Sequence, residues 1–355
     1  MLSPIVNAGE SKVTLSGHIN RAVWYADDGV DTNTSFVDND VSSSRLLIQG
    51  TRALENDLMF GTILELEFPS NFSTDATIDQ DKAQEFEVGE RKIEAFIDTA
   101  AGRLWLGQGD TASNETSEND LSGVTAISKA EMWKMGGALT FRCTNKGDPA
   151  CDEQGFLTEK GTIGNVFDDF DGLSRQDRIR YDTPNMNGFM LSASAMDGEA
   201  WDVAARYDNK FGDLKLKAAV AYAAGRNFKA FKDQVNGSVS VAHSGFSLTL
   251  GAGQQTYDIE GREDPLFYYG KVGYELSASP VGATAFAVDY GYTESESLNN
   301  DEATTFGAFI VQHFKDVGTE LYLGYRLHSL DREVDGKTMN LEDIGVLMSG
   351  LRVKF

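Results

Sequence analysis

The sequence predicts an all-β protein whose antiparallel strands close into a barrel that spans a membrane. The first observation is composition, because 36 Gly, 21 Phe and 12 Tyr accompany only 6 Pro among 355 residues, as expected for many strands joined by tight turns. The second is an alternation of apolar and polar residues along most of the chain. The third is that short turns alternate with longer polar loops, which is typical of membrane-spanning barrels.

The final segment, residues 345–355, displays the alternation clearly. Its apolar face contains Leu347, Leu351, Val353 and Phe355, whereas basic and small residues dominate the other face. A strand with one apolar and one polar face fits a wall between lipid and water. A C-terminal strand that ends in Phe is typical of outer-membrane barrels, so this segment is predicted to close the barrel.

Sixteen strands are predicted within a single domain that spans residues 1–355. Five lie near 12–26, 41–54, 58–68, 92–97 and 103–110. Eleven follow near 176–186, 189–199, 201–211, 213–226, 232–244, 245–258, 265–279, 281–294, 303–316, 318–330 and 341–355. An even number of strands places both termini on one side, so that the last strand can pair with the first. No run of about 18 apolar residues occurs, and a membrane-spanning helix is not expected.

A large secreted all-β protein, built as a double sandwich, a propeller or a solenoid, is the competing fold. A propeller should show a repeat of about 40–50 residues, and none is found. Ionised residues recur on the second face of strand after strand, which suits a water-filled lumen but not a dry sandwich core. These residues are Arg178, Arg180, Asp202, Arg206, Lys215, Lys217, Glu320 and Arg326.

The formal net charge is −24, from 55 acidic and 31 basic residues. This excess of negative charge argues against nucleic acid and against an anionic membrane surface as partners. It favours acidic external loops or a channel that prefers cations. An acidic surface that keeps the protein soluble explains the charge equally well.

Two cysteines, Cys143 and Cys151, lie eight positions apart. A zinc site is not expected, because there is one cysteine pair and no His nearby. A disulfide that closes a small loop is predicted, which requires an oxidising compartment such as the periplasm. Two free thiols are the alternative. No signal peptide is visible, and the chain is interpreted as a mature form with a start methionine.

From Thr111 to about Arg175 no regular alternation appears. A segment of this length without regular structure inside a compact fold is usually functional. It begins with an acidic run at 114–120 (NETSEND), includes a predicted helical turn at 129–135 and contains both cysteines.

Three stretches resemble the general porins of Gram-negative bacteria. Residues 12–23 (KVTLSGHINRAV) resemble the opening strand of that family, residues 170–184 (FDGLSRQDRIRYDTP) resemble the approach to its sixth strand, and residues 351–355 (LRVKF) resemble its end. The resemblance implies a homotrimer of sixteen-stranded barrels in the outer membrane, in contact with lipid and lipopolysaccharide. Each barrel would pass small hydrophilic solutes and ions by passive diffusion. The long loop after strand five, about 111–175, would fold into the lumen.

In such porins the loop in the lumen carries acidic side chains that face basic side chains of the opposite wall. Carried over to this chain, the acidic side of the constriction is formed by Asp110, Glu115, Glu118 and Asp120. The basic side is formed by Arg45, Lys92, Arg178 and Arg180. Facing charges in a narrow pore set ion preference and orient dipolar solutes. Two departures are Gln108, where many relatives have Arg, and a loop that is longer than usual.

Other functions find less support in the sequence. An enzyme is not expected, because the four histidines do not form a His-Glu-x-x-His motif and neither a Gly-x-Ser-x-Gly elbow nor a P-loop occurs. Asp168, Asp169 and Asp171 offer oxygen ligands for Ca²⁺ but lack the twelve-residue loop pattern, which favours a solvated loop without a cofactor. The alternatives to a cation-preferring general channel are a substrate-specific outer-membrane channel and a secreted or surface adhesin without a pore.

Overall fold

The computed structural model describes residues 11–54, 58–80, 82–145, 147–226, 229–334 and 336–355. The strands are β1 (Ser11–Asp27), β2 (Thr32–Asp38), β3 (Arg45–Ala53), β4 (Met59–Glu67), β5 (Gly89–Thr99), β6 (Gly102–Asp110), β7 (Arg175–Asp182), β8 (Phe189–Met196), β9 (Trp201–Phe211), β10 (Leu214–Ala224), β11 (Asp233–His243), β12 (Phe246–Thr256), β13 (Leu266–Ser279), β14 (Gly282–Glu294), β15 (Glu302–Phe314), β16 (Thr319–Asp331), β17 (Glu333–Val334), β18 (Lys337–Thr338) and β19 (Ile344–Lys354). Helical structure in these residues comprises α1 (Ile163–Val166) and the 3₁₀ turns Asp40–Ser42, Met132–Lys134 and Lys315–Val317. No described helix is long and apolar enough to cross a membrane.

The wall is one antiparallel sheet that closes on itself. β1 pairs with β19, with Asn20 opposite Arg352 and Tyr25 opposite Leu347. β2 pairs with the C-terminal part of β1 and β3 with its N-terminal part. β2 and β3 therefore form one interrupted wall strand, and the barrel has sixteen strands. Closure by the last strand, as predicted, satisfies the backbone groups that an open sheet would leave unpaired in lipid.

The outward face of the wall is apolar and exposed, as the alternation predicts. In β19, Leu347 is 41% exposed, whereas the next residue, Met348, is fully buried. Aromatic side chains lie near both ends of the outward face, for example the pair Phe246–Tyr274 with ring centroids 4.7 Å apart. Aromatic residues at these levels are typical of membrane interfaces.

The two ends of the barrel differ in the length of their connections. At one end, tight turns join β5 to β6, β9 to β10, β11 to β12 and β13 to β14. Ser244 and Gly245, between β11 and β12, both have positive φ (50° and 88°), as a type I′ hairpin requires. We call this the short-turn end. Most long connections gather at the other end, the long-loop end.

The second wall strand departs from the single strand predicted over 41–54. β2 lies between the first two predicted strands, where no strand was predicted, and the chain turns inward at 39–44 before β3 begins. In this turn Asn39 accepts a hydrogen bond from the Val41 N–H (3.0 Å) and donates to the Ala126 carbonyl (2.8 Å). The run of Asn, Asp and Ser favours such local turns over strand pairing, which explains the interruption.

Part of the barrel interior is filled by the connection between β6 and β7, residues 111–174, which we call the long loop. Its apolar side chains form one buried cluster with inward-facing residues of the wall. Buried members from the loop include Ile127, Met132, Phe141, Ile163 and Phe167. Buried members from the wall include Trp24, Phe267, Phe309, Val346 and Met348.

Candidate functional site

The first part of the long loop is fixed to the inward faces of β9 and β11. Asp202 accepts hydrogen bonds from the backbone N–H groups of Ala112 (3.2 Å) and Ser113 (2.8 Å). Farther on, the N–H of Leu121 donates to Ser240 Oγ at 2.9 Å. These wall residues are buried and lie on the face opposite to the exposed apolar one. The loop therefore runs along the inner surface of the wall.

The next part of the loop is bound to β13, β14 and β16. Lys271 Nζ forms an ion pair with Asp120 at 2.7 Å. Asp289 accepts a hydrogen bond from Ser128 Oγ (2.6 Å) and another from Arg326 (2.8 Å). The three wall side chains are almost fully buried. The loop thus extends from β9 to β16, whereas Arg45, Lys92 and Lys215, on the inward faces of β3, β5 and β10, stay at least partly exposed.

Two of the four predicted acidic residues are neutralised by wall lysines. Asp110, at the end of β6, forms an ion pair with Lys92 of β5. Asp120 pairs with Lys271, as described above. Lys92 was predicted on the side of the constriction opposite to Asp110, but the structure brings the two together.

The other two predicted acidic residues lie within the long loop. Glu115 has a positive φ of 61° and is exposed, and its side chain forms no ion pair among the described residues. Glu118 pairs with Lys129 at 2.9 Å. Burial, reinforced by the Glu131 carboxylate, raises the pKa of Glu118 to about 7. Of the four predicted acidic residues, Glu115 is thus the one without an ion pair in the part of the chain that the structure describes.

Two of the predicted basic residues hold the start of the long loop. Arg178 is buried, pairs with Glu94 at 2.5 Å and donates to the Asp110 carbonyl at 2.9 Å. Arg180 donates to the Thr111 carbonyl at 2.9 Å. Both guanidinium groups therefore bind backbone at the point where the chain leaves the wall, which is a positioning role.

The fourth predicted basic residue, Arg45, belongs to a cluster of ion-paired side chains on β3, β4 and β5. The alternation of the sequence does not predict that Arg91 faces inward in this cluster. Arg45 pairs with Glu65 at 3.2 Å, and Arg91 pairs with Glu65 (2.8 Å) and Glu67 (2.9 Å). A β-bulge in the β4–β5 pairing turns Arg91 inward, although strict alternation with Lys92 would place it outward. These alternating charges line the wall next to the long loop.

Arg175 is a further basic residue that the sequence patterns do not single out. It is half-buried at the start of β7. Burial opposes ionisation of Glu131 in the loop, but Lys134 and Lys129, with a contribution from Arg175, hold the pKa of Glu131 below its ordinary value. The acidic part of the loop therefore lies close enough to Arg175, at the start of β7, for the two charges to interact.

The candidate Ca²⁺ residues have partners within the protein. Asp168 accepts a hydrogen bond from the Phe170 N–H at 2.7 Å, and Asp169 accepts one from Ser117 at 3.3 Å. Burial, together with neighbouring carboxylates, raises the pKa values of Asp169 and Asp171 well above the usual range. In the described part of the chain, no group of three or more His, Cys, Asp or Glu residues is arranged to hold a metal ion.

The predicted disulfide between Cys143 and Cys151 is confirmed, with the Cα atoms 6.4 Å apart. It closes a hairpin of the long loop at the long-loop end. Cys143 forms a β-bridge with Leu341 in the last long connection. The neighbouring Arg142 forms a buried ion pair with Asp28 at 2.6 Å. The disulfide hairpin is therefore attached to the first and the last connections of the barrel.

Comparison with known families identifies the class of protein that this barrel and its interior loop define. Residues 1–332 match the family described as Gram-negative porin. This match covers most of the chain, and the chain belongs to the Gram-negative porins. It is an outer-membrane channel protein of Gram-negative bacteria. No curated protein sequence matches the chain significantly.

Solved structures share the architecture at low sequence identity. An anion-selective porin from Comamonas acidovorans is 20% identical with a TM-score of 0.64, over 98% of this chain and 100% of that chain. The trimer form of OmpT, an outer membrane protein of Vibrio cholerae, is 14% identical with a TM-score of 0.59, over 97% and 99%. A mutant porin of Rh. blastica is 14% identical with a TM-score of 0.54, over 97% and 100%. These similarities show the sixteen-stranded fold.

Proposed function

We propose that the protein is a passive, water-filled channel for small hydrophilic solutes and ions, that it prefers cations, and that it acts as a homotrimer without catalysing a reaction. The observation that carries this proposal is the position of the long loop, which is bound along the inward wall and brings carboxylates within electrostatic reach of wall arginines. A narrow passage between facing charges selects by size and charge rather than by chemistry.

The cation preference rests on which of the eight predicted constriction charges lack a partner of opposite sign among the described residues. Lys92 and Arg178, predicted on the basic side, pair with Asp110 and Glu94. Glu115 is exposed, and among the described residues it has no ion pair. The net charge of −24 adds a negative field around the mouths of the channel. The anion selectivity named for the Comamonas porin concerns a chain of 20% identity, in which the constriction charges need not be the same.

The proposal of a trimer is supported by Arg21, a charged residue on the outward face, and by the similarity to the trimer form of OmpT. Arg21 lies on the outward face of β1, where its neighbours Ile19 and Val23 are exposed apolar residues. It pairs with Asp38 at 2.5 Å and donates to Ser70 at 2.7 Å, while half of its side chain stays exposed. A charged group is costly against lipid, and a second copy of this chain would cover it.

Single-channel conductance in a planar bilayer under a salt gradient tests these statements. We expect channel openings in groups of three. We also expect the reversal potential to have the sign of a channel that is more permeable to cations than to anions. Glu115→Gln should reduce the cation-to-anion permeability ratio roughly twofold, because it removes an exposed charge from a narrow passage.

The matched control is Glu153→Gln, which removes the same charge at an exposed position of the disulfide hairpin and should leave the ratio unchanged. Folded protein that conducts no current would overturn the channel. An anion-selective reversal potential would overturn the cation preference alone.

A further inference from the structure

Four basic side chains lie together on the inward faces of β9 and β10, toward the short-turn end. They are Arg206, Lys210, Lys215 and Lys217, which we call the basic patch. In the pairing of the two strands, Lys210 is directly opposite Lys215, and Asp208 is directly opposite Lys217. The patch therefore runs down two neighbouring strands toward the end of the barrel.

The patch carries positive charge that the wall does not neutralise. Lys217 pairs with Asp208 at 3.2 Å, and both side chains are well exposed. Among the described residues, no carboxylate forms an ion pair with Lys210 or Lys215. Two like charges directly opposite each other destabilise a sheet. Their presence on adjacent strands costs stability, which suggests that they serve something other than folding.

The flanking strands supply no compensating acid at the same level. On β8, Met190 is opposite Arg206. On β11, Ser240 is opposite Lys217 and Ala242 is opposite Lys215. Asp208 offsets Lys217, and Asp182 and Glu115 act on Arg206. Among the described residues, the charges of the patch without an ion-paired carboxylate are therefore those of Lys210 and Lys215, and their field extends into the lumen at the short-turn end.

The end of the basic patch that is farther from the short turns contacts the long loop. Arg206 donates to the carbonyl of Asn114 at 2.7 Å and approaches Ser192 Oγ at 3.5 Å. Asn114 directly precedes Glu115, the exposed carboxylate of the candidate constriction. A solute that passes the loop therefore meets Arg206 first and then the lysines nearer the short-turn end. In outer-membrane barrels, short turns lie on the periplasmic side.

We propose that the basic patch is a binding station for multivalent anions at the periplasmic mouth of the channel. The chemical class is a solute with several phosphate or carboxylate groups, because clustered ammonium and guanidinium groups bind such anions through charge-assisted hydrogen bonds. This inference rests on the proposed channel function. It gives an acidic protein a local site of opposite sign, which the net charge of −24 does not reveal.

The test is block of channel current by inorganic triphosphate, added to one side of a planar bilayer and then to the other. For the unmodified protein, one side should give half-block at a concentration about tenfold lower than the other, because only one mouth carries the patch. In the variant K210Q/K215Q/K217Q this difference between the sides should disappear, while the current without triphosphate persists.

The matched control is K82Q/K232Q/K337Q, which removes three lysines at the long-loop end. Lys82 and Lys232 lie in the β4–β5 and β10–β11 connections, and Lys337 lies in β18, between β16 and β19. It should retain the difference between the sides. The single variant Lys215→Gln, which changes one exposed side chain, should give an intermediate difference if the triple variant does not fold.

Equal block from both sides of the unmodified channel would overturn the proposal, and so would an unchanged difference in the triple variant. A folded protein without any conductance would instead overturn the channel function. The two failures are therefore distinguishable.

Discussion

The interior of the barrel has two halves that share one wall architecture but differ in chemistry. We call β13–β16, β19, β1 and β2 the filled half, because apolar inward residues such as Trp24, Phe309 and Val346 pack there against the long loop. We call β3–β7 and the short-turn ends of β9 and β10 the open half, because charged inward residues such as Arg45 and Lys215 remain partly exposed there. The proposed passage for solutes would therefore lie nearer the open half than the barrel axis.

The ion pairs of the two halves differ in the same way, apart from the buried pair Arg178–Glu94 where the long loop begins. In the filled half, Arg326–Asp289 and Lys271–Asp120 are buried, and the hydrogen bonds of these residues join the wall to the loop. In the open half, pairs such as Arg45–Glu65 lie within the wall and keep partial contact with water. Buried pairs fix position, because each partner is costly to leave alone, whereas partly exposed pairs mainly shape the field in the pore.

The largest expected effect comes from breaking the apolar contact of the filled half. Ile127→Asp places a carboxylate at a fully buried position of the long loop, next to Gly324 of β16, where a β-carbon would come within 2.7 Å of Ile127 Cδ1. An unpaired charge in an apolar site costs several kcal/mol, so the loop should leave the wall. We expect a severalfold change in single-channel conductance and rapid proteolysis of the loop in folded barrels.

Thr158→Asp is the control, because it adds the same charge at an exposed position of the same loop. It should keep the conductance of the unmodified protein. If Ile127→Asp also keeps the original conductance and protease resistance, the apolar packing does not hold the loop in place.

A smaller effect is expected from removing a buried ion partner in the filled half. Asp289→Ala leaves Arg326, which is 1% exposed, without its carboxylate. Breaking a buried pair in this way costs about 3–5 kcal/mol. Denaturant unfolding of the detergent-solubilised barrel should show this loss.

The comparison is sharpened by Glu85→Ala, which breaks the exposed pair Lys82–Glu85. Because water screens that pair, its loss should change stability by about 0–1 kcal/mol. Equal losses for the two variants would contradict the distinction between buried and exposed pairs.

The sequence predicts the wall far better than the interior. The strand predicted at 201–211 is β9, and the one predicted at 265–279 is β13 within one residue, because alternation is a local pattern that each strand carries by itself. The bulge that turns Arg91 inward breaks that pattern, and so does the inward turn at 39–44. The bulge depends on pairing with β4, and the inward turn, which its local residues favour, also bonds to Ala126 of the long loop.

The candidate site depends even more on distant partners. Asp120 and Lys271 are 151 positions apart in the sequence, and nothing local in either segment indicates that they meet. The apolar residues of the long loop have no regular period, because they fit the inside of a curved wall rather than one face of a helix or strand. The sequence therefore offers charged candidates for a constriction, whereas the pairing of those charges cannot be predicted from it.

The smallest expected effect is a dependence of ion selectivity on pH, through Glu118. Burial and the neighbouring Glu131 raise the pKa of Glu118 from 4.5 to about 7. Between these two values the packed loop holds a proton that an unfolded chain has lost, so this group stabilises the packed loop fully below pH 4.5 and loses that contribution as the pH rises to about 7. The negative charge of the Glu118 carboxylate appears over the upper part of the same range.

Cation preference, measured as the reversal potential in a fixed salt gradient, should therefore increase modestly from pH 6 to pH 8. Glu118→Gln should remove most of this increase, because the amide does not titrate. Glu153→Gln, at an exposed site of the same loop, should retain it. A reversal potential in the unmodified protein that stays constant from pH 6 to pH 8 would mean that Glu118 does not contribute to the field of the passage, and the acidic side of the constriction would then consist of Glu115 without Glu118.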